Sequence, residues 1–552
     1  MSDSSPPTSG RRPVEEAGSG VITEHEVARP PAAPEGGSLR SRIGKVAGAS
    51  AVALVVGELI SLGQTVALAR LLTPTEVGLF VAGSVLTTFV GNFVEGGLRS
   101  GLVHRDPDAD LDEAAATVFW VTLGTGALMA LLALMAAPVI GHVFESRTAG
   151  LVAAAMSGGL LLFALTNVPE ALLQREFSVQ RRLIVGPAAS ATFAVVAVTA
   201  AALGLGVWSM VLGSYASSLV WVLTLWWICR WRPGRTRPSY RTWRQLAGYG
   251  FPLVLGMLAD RGQKVVQAVV TGRVLGAGEL GLLRYGERIA RIPVMALVEA
   301  GSNSLFPAFS RLSRDRGRFQ AGYLQALRLS VAAAAGMAAI IIAIGVPLVV
   351  LVLGEEWRGT GEVLVAMAGL GLGKSMMTVG EEAIKGAGRT RLLNRFTVTE
   401  TTLSVVLLLV LIGPLGLVGV GLSISLTALI LGVVVAWTAA PVVGVSRRQT
   451  LSATAPAVLS ALLGYAVVAT LELVWLQSES RGTSGLATMA LDVVVFLAVY
   501  ALALRVLART TFTDLTALAA EVVRAVARKA GAARTREPDR AAPQPAEPVN
   551  RP

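Results

Sequence analysis

Cysteine is all but absent from this 552-residue chain: Cys229 stands alone, inside an apolar run. That excludes an intrachain disulfide and any cysteine metal cage. Histidine is nearly as scarce. His25, His104 and His142 are scattered, make no zinc pattern and supply no obvious catalytic base. Charge is thin as well, at 15% Asp, Glu, Lys and Arg, where soluble proteins carry about 25%. The beginning shows no short apolar core followed by a small-residue cleavage site, so a secretory signal is not expected. No catalytic residue, cofactor or metal is expected from this pattern.

What is abundant is apolar sequence. Hydrophobic residues make up 53% of the chain and mean hydropathy is +0.62. The runs are long enough, and repeated often enough, to cross a bilayer. The fold class expected is an all-α polytopic membrane protein. The spans fall at roughly 46–72, 76–100, 115–140, 150–172, 183–204, 207–229, 246–275, 280–308, 327–353, 361–384, 397–413, 416–440, 453–476 and 486–508. That is about 14 transmembrane helices, divided as two six-helix repeats plus two extra C-terminal helices. The domains expected are a disordered tail over 1–39, an N-terminal repeat over 40–230 and a basic linker over 231–245. A C-terminal repeat over 246–445 follows, then the extra helices over 446–508 and an amphipathic helix and tail over 509–552.

The net charge of +12 and pI near 10.4 fit the positive-inside bias better than nucleic-acid binding, and no nucleic-acid partner is expected. The loops assigned outside carry only Arg147, Arg358 and Arg481, whereas Arg230, Arg232, Arg235, Arg237, Arg241 and Arg244 crowd one inner loop. This asymmetry predicts both termini in the cytoplasm. The outer loops are too short to hold a catalytic domain. After the last span, Leu515, Leu518, Val522 and Val526 share a helical face, the pattern of a basic amphipathic helix on the inner leaflet.

One stretch occurs twice. Ala69-Arg-Leu-Leu-Thr-Pro-Thr-Glu-Val-Gly-Leu-Phe80 returns 203 residues later as Gly272-Arg-Val-Leu-Gly-Ala-Gly-Glu-Leu-Gly-Leu-Leu283. Arg70 pairs with Arg273, Glu76 with Glu279, Gly78 with Gly281, and outside the stretch Gln64 with Gln267 and Gly83 with Gly286. Two like halves joined by the same turn chemistry are the layout of many transporters, and the turn residues are candidate gate positions.

Ionisable residues within the spans are costly, at least ~2.5 kcal/mol each on insertion scales, and so mark cavities or partners. Asp260, Lys264, Gln267 and Thr271 form one polar stripe on the seventh span, flanked by Arg261 and Gln263. The eighth span carries Arg284, Glu287, Arg288 and Arg291, with Glu287 able to pair with Arg291. Glu58 of the first span occupies the repeat position of Arg261, and the second span adds Asn92 and Glu95. Glu58, Asp260 and Glu95 are candidate coupling acids. Ala368-Gly-Leu-Gly-Leu-Gly-Lys-Ser375 fits a relaxed phosphate-loop pattern, but it lies inside a membrane-length run without the strand, soluble helix and acid such a loop needs. Lys374 then reads as a lone intramembrane cation. The candidate substrate cavity is Arg261, Lys264, Gln267, Arg288, Arg291 and Lys374, mostly cationic and suited to an anion such as phosphate.

The Arg70–Phe80 turn resembles that of the polysaccharide and O-antigen flippase family, within the multidrug/oligosaccharidyl-lipid/polysaccharide exporter superfamily. Its second copy, the Pro169-Glu-Ala-Leu-Leu-Gln-Arg175 segment with Phe177, and Pro307-Ala-Phe-Ser-Arg311 fit as well. The resemblance implies a flippase that carries an undecaprenyl-diphosphate-linked oligosaccharide across the cytoplasmic membrane by alternating access, for cell-surface polysaccharide biosynthesis. It implies a lipid-linked anionic glycan and membrane lipids as partners, with the polymerase and glycosyltransferases of the same pathway. It also implies a cationic cavity, onto which Lys264, Arg288, Arg291 and Lys374 map by character. A lipid II flippase or a multidrug/cation antiporter of the same superfamily is the alternative. A membrane glycan polymerase or ligase is disfavoured because it needs a sizeable outer loop.

Overall fold

The computed structural model describes residues 56–95, 97–105, 110–176, 181–234, 236–472 and 483–518, with positions 520 and 524. Some side chains within the seventh and eighth spans, Asp260 and Asn303 among them, lie outside the described set. The expected tails over 1–39 and 530–552 and the start of the first span lie outside it too.

Among the described residues every regular element is helical, as a bilayer requires of open-chain spans, since a helix satisfies its own backbone. The first helix, α1, is described over 56–71. It is followed by α2 (Pro74–Glu95), α3 (Leu98–Val103), α4 (Leu111–Val143), α5 (Arg147–Ser157), α6 (Gly159–Arg175), α7 (Gly186–Ala202) and α8 (Val207–Ile228). The second half is α9 (Tyr240–Val274), α10 (Ala277–Leu312), α11 (Arg316–Leu353), α12 (Arg358–Ala366), α13 (Gly369–Gly386) and α14 (Arg391–Val443). Then come α15 (Arg447–Leu471), α16 (Thr483–Leu507) and a short α17 over 509–518.

Among the described residues, ten helical segments are long and apolar enough to cross a membrane. The fourteen expected spans differ from this number for three physical reasons. The 53-residue α14 merges two arms across Gly416, whose φ of 55° breaks the helix between the expected spans 397–413 and 416–440. Both α9 and α10, at 35 and 36 residues, are long enough to span but carry the charged stripes that lower their hydropathy. And α1 begins before the described residues.

Helix ends follow local chemistry. Thr73 and Glu76 form a capping box at α2: the Thr73 amide donates to Glu76 Oε2 at 2.8 Å and the Glu76 amide donates to Thr73 Oγ1 at 3.3 Å. The second turn copy has Gly276 where the first has Thr73, so Glu279 has no capping partner there. The fourth span of each half is broken at a matching place, between α5 and α6 at Gly158 and between α12 and α13 at Met367–Ala368.

The halves are not divided cleanly at the linker. The first turns of α9 are stapled to α4: Ser239 N–H donates to Thr117 Oγ1 at 2.9 Å and Thr242 Oγ1 donates to Glu113 Oε1 at 2.5 Å. Gly250 of α9 also meets Gly97 backbone to backbone. Further along, Gln263 of the same helix donates to Ser404 Oγ of α14 at 2.7 Å. So α9 starts on the N-terminal half and ends within the C-terminal one. It rises about 52 Å from linker to second turn, at ~1.5 Å per residue.

The extra pair packs against α11. Phe496 and Tyr500 of α16 join the core of the C-terminal half, and Tyr500 donates to Ala332 O at 2.7 Å. The first turns of the terminal amphipathic segment dock there too, with Phe512 and Leu515 packed on the same core. Val522 and Val526 lie outside the described residues.

Candidate functional site: the interface between the halves

The two repeated turns face one another. A Cβ on Gly78 would overlap the carbonyl of Ala277, and one on Gly281 would overlap the carbonyl of Pro74. Only glycine lets α2 and α10 approach this closely. The same glycine appears in both copies because each sits at the other's contact.

The repeat arginines cross-brace this end. Arg70, at the end of α1, donates through Nε to Val352 O at 2.9 Å and through a terminal nitrogen to Leu351 O at 2.7 Å, at the end of α11. A cation on C-terminal helical carbonyls is favourable. Arg273, at the end of α9, forms an ion pair with Glu145, just beyond α4. Each arginine thus reaches the end of the third span of the opposite half. Trp357, 1% exposed, completes the closure. Its indole donates to Ala69 O at 2.8 Å and stacks on Tyr285, with centroids 4.3 Å apart.

Away from this end, polar side chains make separate cross-helix pairs on α1, α9, α10, α13 and α14. Arg288 of α10 donates to Ser61 O of α1 at 3.0 Å and also bonds Ser61 Oγ. Glu58 on α1 adds an attractive charge to Arg288, while Arg284 adds a repulsive one. Gln267 of α9 donates to Glu287 Oε1 of α10. Lys374 of α13 holds Glu400 of α14 at 2.5 Å. Lys264 is half-buried on α9, one turn before Gln267.

Several expectations need correcting. Lys374 is not a lone cation, because Glu400 on the facing helix neutralises it. Glu287 takes Gln267 as partner, where pairing with Arg291 was expected; cross-helix geometry prevails over the i, i+4 spacing. Glu95 is tied to Arg99 at 3.2 Å, and Arg99 also reaches Glu170 at 3.5 Å, so Glu95 stands in a charge cluster of the N-terminal half. Arg261 and Arg291 are exposed and are not drawn into the Arg288–Gln267 network. Asp260 lies outside the described side chains.

Sequence reasoning missed Glu400, Ser61, Glu145 and Trp357. Glu400 had a signal, as an acid at the head of an apolar run. Arg175, the last residue of the Pro169–Arg175 segment, clamps the end of α3 by donating to Leu102 O at 3.1 Å and Arg105 O at 2.6 Å.

Ten of the described helical segments are long and apolar enough to cross a membrane, and the repeated turns of α2 and α10 meet at Gly78 and Gly281, which defines a multi-pass helical membrane protein. Residues 67–361, more than half of the chain, match the family described as "Polysaccharide biosynthesis protein", and the chain belongs to that family. It is 26% identical over 311 residues to the succinoglycan biosynthesis transport protein ExoT of Rhizobium meliloti (strain 1021), covering 56% of this chain and 62% of that one. The match therefore spans less than two thirds of that relative. It is 24% identical over 424 residues to the lipopolysaccharide biosynthesis protein WzxC of Escherichia coli (strain K12), covering 75% and 84%. Among solved structures, the lipid II flippase MurJ in its inward closed conformation superposes with TM-score 0.67 at 14% identity, covering 83% of this chain and 98% of that one. An inward-facing MATE transporter of the MOP superfamily superposes with TM-score 0.57 at 16% identity, covering 71% and 98%. ExoT is a transport protein, MurJ a flippase and the MATE protein a transporter, in agreement with the expectation of a membrane transporter.

Proposed function

We propose that this protein carries a lipid-linked anionic glycan across the cytoplasmic membrane by alternating access, for cell-surface polysaccharide assembly. The observation that carries the reading is the pairing of Gly78 with Gly281, which joins α2 to α10 at one end, while cross-helix polar bonds link Arg288 to Ser61, Gln267 to Glu287 and Lys374 to Glu400 elsewhere along α1, α9, α10, α13 and α14. A transporter needs two bodies that can part at a seam, and polar groups to hold its substrate.

In this reading the chain crosses the membrane fourteen times, α9 and α10 included, with both termini in the cytoplasm. The closed end is the outer face, and substrate enters from the inside. Lys264 and Arg288 meet the diphosphate, since a guanidinium matches phosphate oxygens well. Lys374, held by Glu400, is available only when that pair opens. Glu58, near Arg288, is the coupling acid best placed to sense substrate. The polymerase and glycosyltransferases of the pathway are its partners.

The test is a sidedness assay. Protein is reconstituted into liposomes containing a fluorescent polyprenyl-diphosphate oligosaccharide, and a membrane-impermeant enzyme reports substrate on the outer face. Protein-dependent exposure that fails with Lys264→Glu and Arg288→Glu supports the reading. No exposure of such a lipid, with movement of a small cation instead, overturns the substrate class.

A further inference from the structure

A second polar site lies in the extra helix pair, away from the seam. Asp492 is the tenth residue of α16, about 14 Å along the helix, and only 1% of it is exposed. It shares one helical face with Met489, Phe496, Tyr500 and Leu504, all buried. That face is pressed between two neighbours. A Cβ on Gly464 of α15 would meet Phe496 at 2.8 Å, and one on Gly336 of α11 would meet Tyr500 at 3.1 Å. We propose that Asp492 and Glu472, at the end of α15, together bind one proton, and that the shared proton clasps α16 to α15. The site is independent of the transport reading.

The packing leaves Asp492 unsatisfied. Neither of its carboxylate oxygens has a hydrogen-bond donor among the described residues. A carboxylate can only accept, and a buried one without a donor or counter-charge is costly. Its charged neighbour has the wrong sign, because Glu472 adds a repulsive charge. The elements packed on this face bring no cation to the level of Asp492. α11 carries no ionisable residue between Arg328 and Glu355. Arg328 lies one turn beyond Ala332, the partner of Tyr500, and so about three turns from Asp492. Between Arg448 and Glu472 the titratable residue of α15 is Tyr465, about two turns before Glu472. Tyr500 and Arg505 of α16 lie two turns or more toward its other end. The 473–482 connection, with Glu479 and Arg481, lies outside the described residues.

One proton resolves both faults. Carried by one carboxyl, it donates to the other as O–H···O⁻, which supplies the missing hydrogen bond and removes one of the two negative charges. The proton comes from water and returns to it, and no other bond changes. Without it, two like charges face each other in a helix junction at membrane depth, and α16 is pushed from α15. A metal cation fits the site poorly, since hard cations take about six or more oxygen ligands. The side chains one turn away, Val468 from Glu472 and Phe496 from Asp492, are apolar members of the same core.

The test is infrared difference spectroscopy on the full chain in ether-lipid nanodiscs, whose lipids carry no ester carbonyl. The difference between wild type and Asp492→Asn should contain the C=O stretch of a carboxylic acid, shifted in D2O, and raising the pH should abolish it reversibly. Glu472→Gln should shift the pH at which that band is lost, and Tyr465→Phe should not. Amide hydrogen exchange in α16, corrected for the intrinsic rate, should rise at least about fivefold as the band is lost, because the helix opens locally more often. Asp492→Asn should remove that rise. The proposal is overturned by the absence of an acid band from Asp492, by its displacement on exchanging potassium chloride for sodium chloride at constant pH, by an unshifted pH in Glu472→Gln, or by the same exchange rise in Asp492→Asn. Failure of the transport reading looks different: the clasp persists in a protein that exposes no lipid-linked glycan.

Discussion

Gly78 and Gly281, 203 residues apart in sequence, meet backbone to backbone where α2 crosses α10. Each is the other's repeat counterpart, so the contact lies on the pseudo-symmetry relation of the two halves. A leucine at either position has no space. Gly78→Leu and Gly281→Leu should both abolish transport, because the overlap is with rigid backbone and exceeds the ~1–3 kcal/mol usual for overpacked side chains. Transport by membrane-inserted protein is the readout. Wild-type activity in either variant would remove the turn from the gate.

Trp357 fills the same seam. Trp357→Ala should destabilise the closed form by about 3–5 kcal/mol, the range for deleting a buried tryptophan. Trp357→Phe keeps the ring against Tyr285 and loses the bond to Ala69 O, costing about 1 kcal/mol. Thermal unfolding in detergent measures both, and the order wild type, Phe, Ala is the expected result.

Lys374 and Glu400 are interdependent. Breaking a fully buried pair costs ~3–5 kcal/mol. Here the side chains are 31% and 26% exposed, which reduces the expected loss for Lys374→Met to about 1–2 kcal/mol. Lys374→Met combined with Glu400→Gln should recover most of that stability, because no unpaired carboxylate remains. A double variant less stable than Lys374→Met would show that the two residues do not act as a pair.

Arg273 and Glu145 are half-exposed and exposed, at 50% and 74%. An exposed pair contributes at most about 1 kcal/mol. Arg273→Ala should therefore slow transport only a few-fold, whereas Arg70→Ala removes two charge-assisted bonds to α11 carbonyls and should slow it more. Exchanging the charges, Arg273→Glu with Glu145→Arg, should restore the Arg273 loss. Rates measured in proteoliposomes separate these cases.

The parts legible in the sequence are those set by local chemistry. The Thr73–Glu76 cap, the helix break near Gly416 and the duplicated turn are all written in neighbouring residues. So is the polar stripe of α9, where Gln263 and Gln267 do make cross-helix bonds. The parts that were not legible depend on which helices cross. Nothing near Lys374 in the sequence points to Glu400, and nothing near Arg70 points to the carbonyls of Val352 and Leu351. Spacing suggested Glu287 with Arg291, but Glu287 accepts from Gln267 of α9. The position of α9 astride both halves follows from its contacts with α4 at one end and α14 at the other, and composition places only a linker there.

The central claim is that the halves part at the repeated turns during transport. Its most direct test locks that end. Cys229 is replaced by serine, Arg273→Cys and Glu145→Cys are introduced together, and the pair is cross-linked before the lipid-linked glycan sidedness assay. The account predicts that cross-linking stops exposure of substrate at the outer face and that reduction restores it. Transport that continues at the uncross-linked rate, with the link verified, would contradict it.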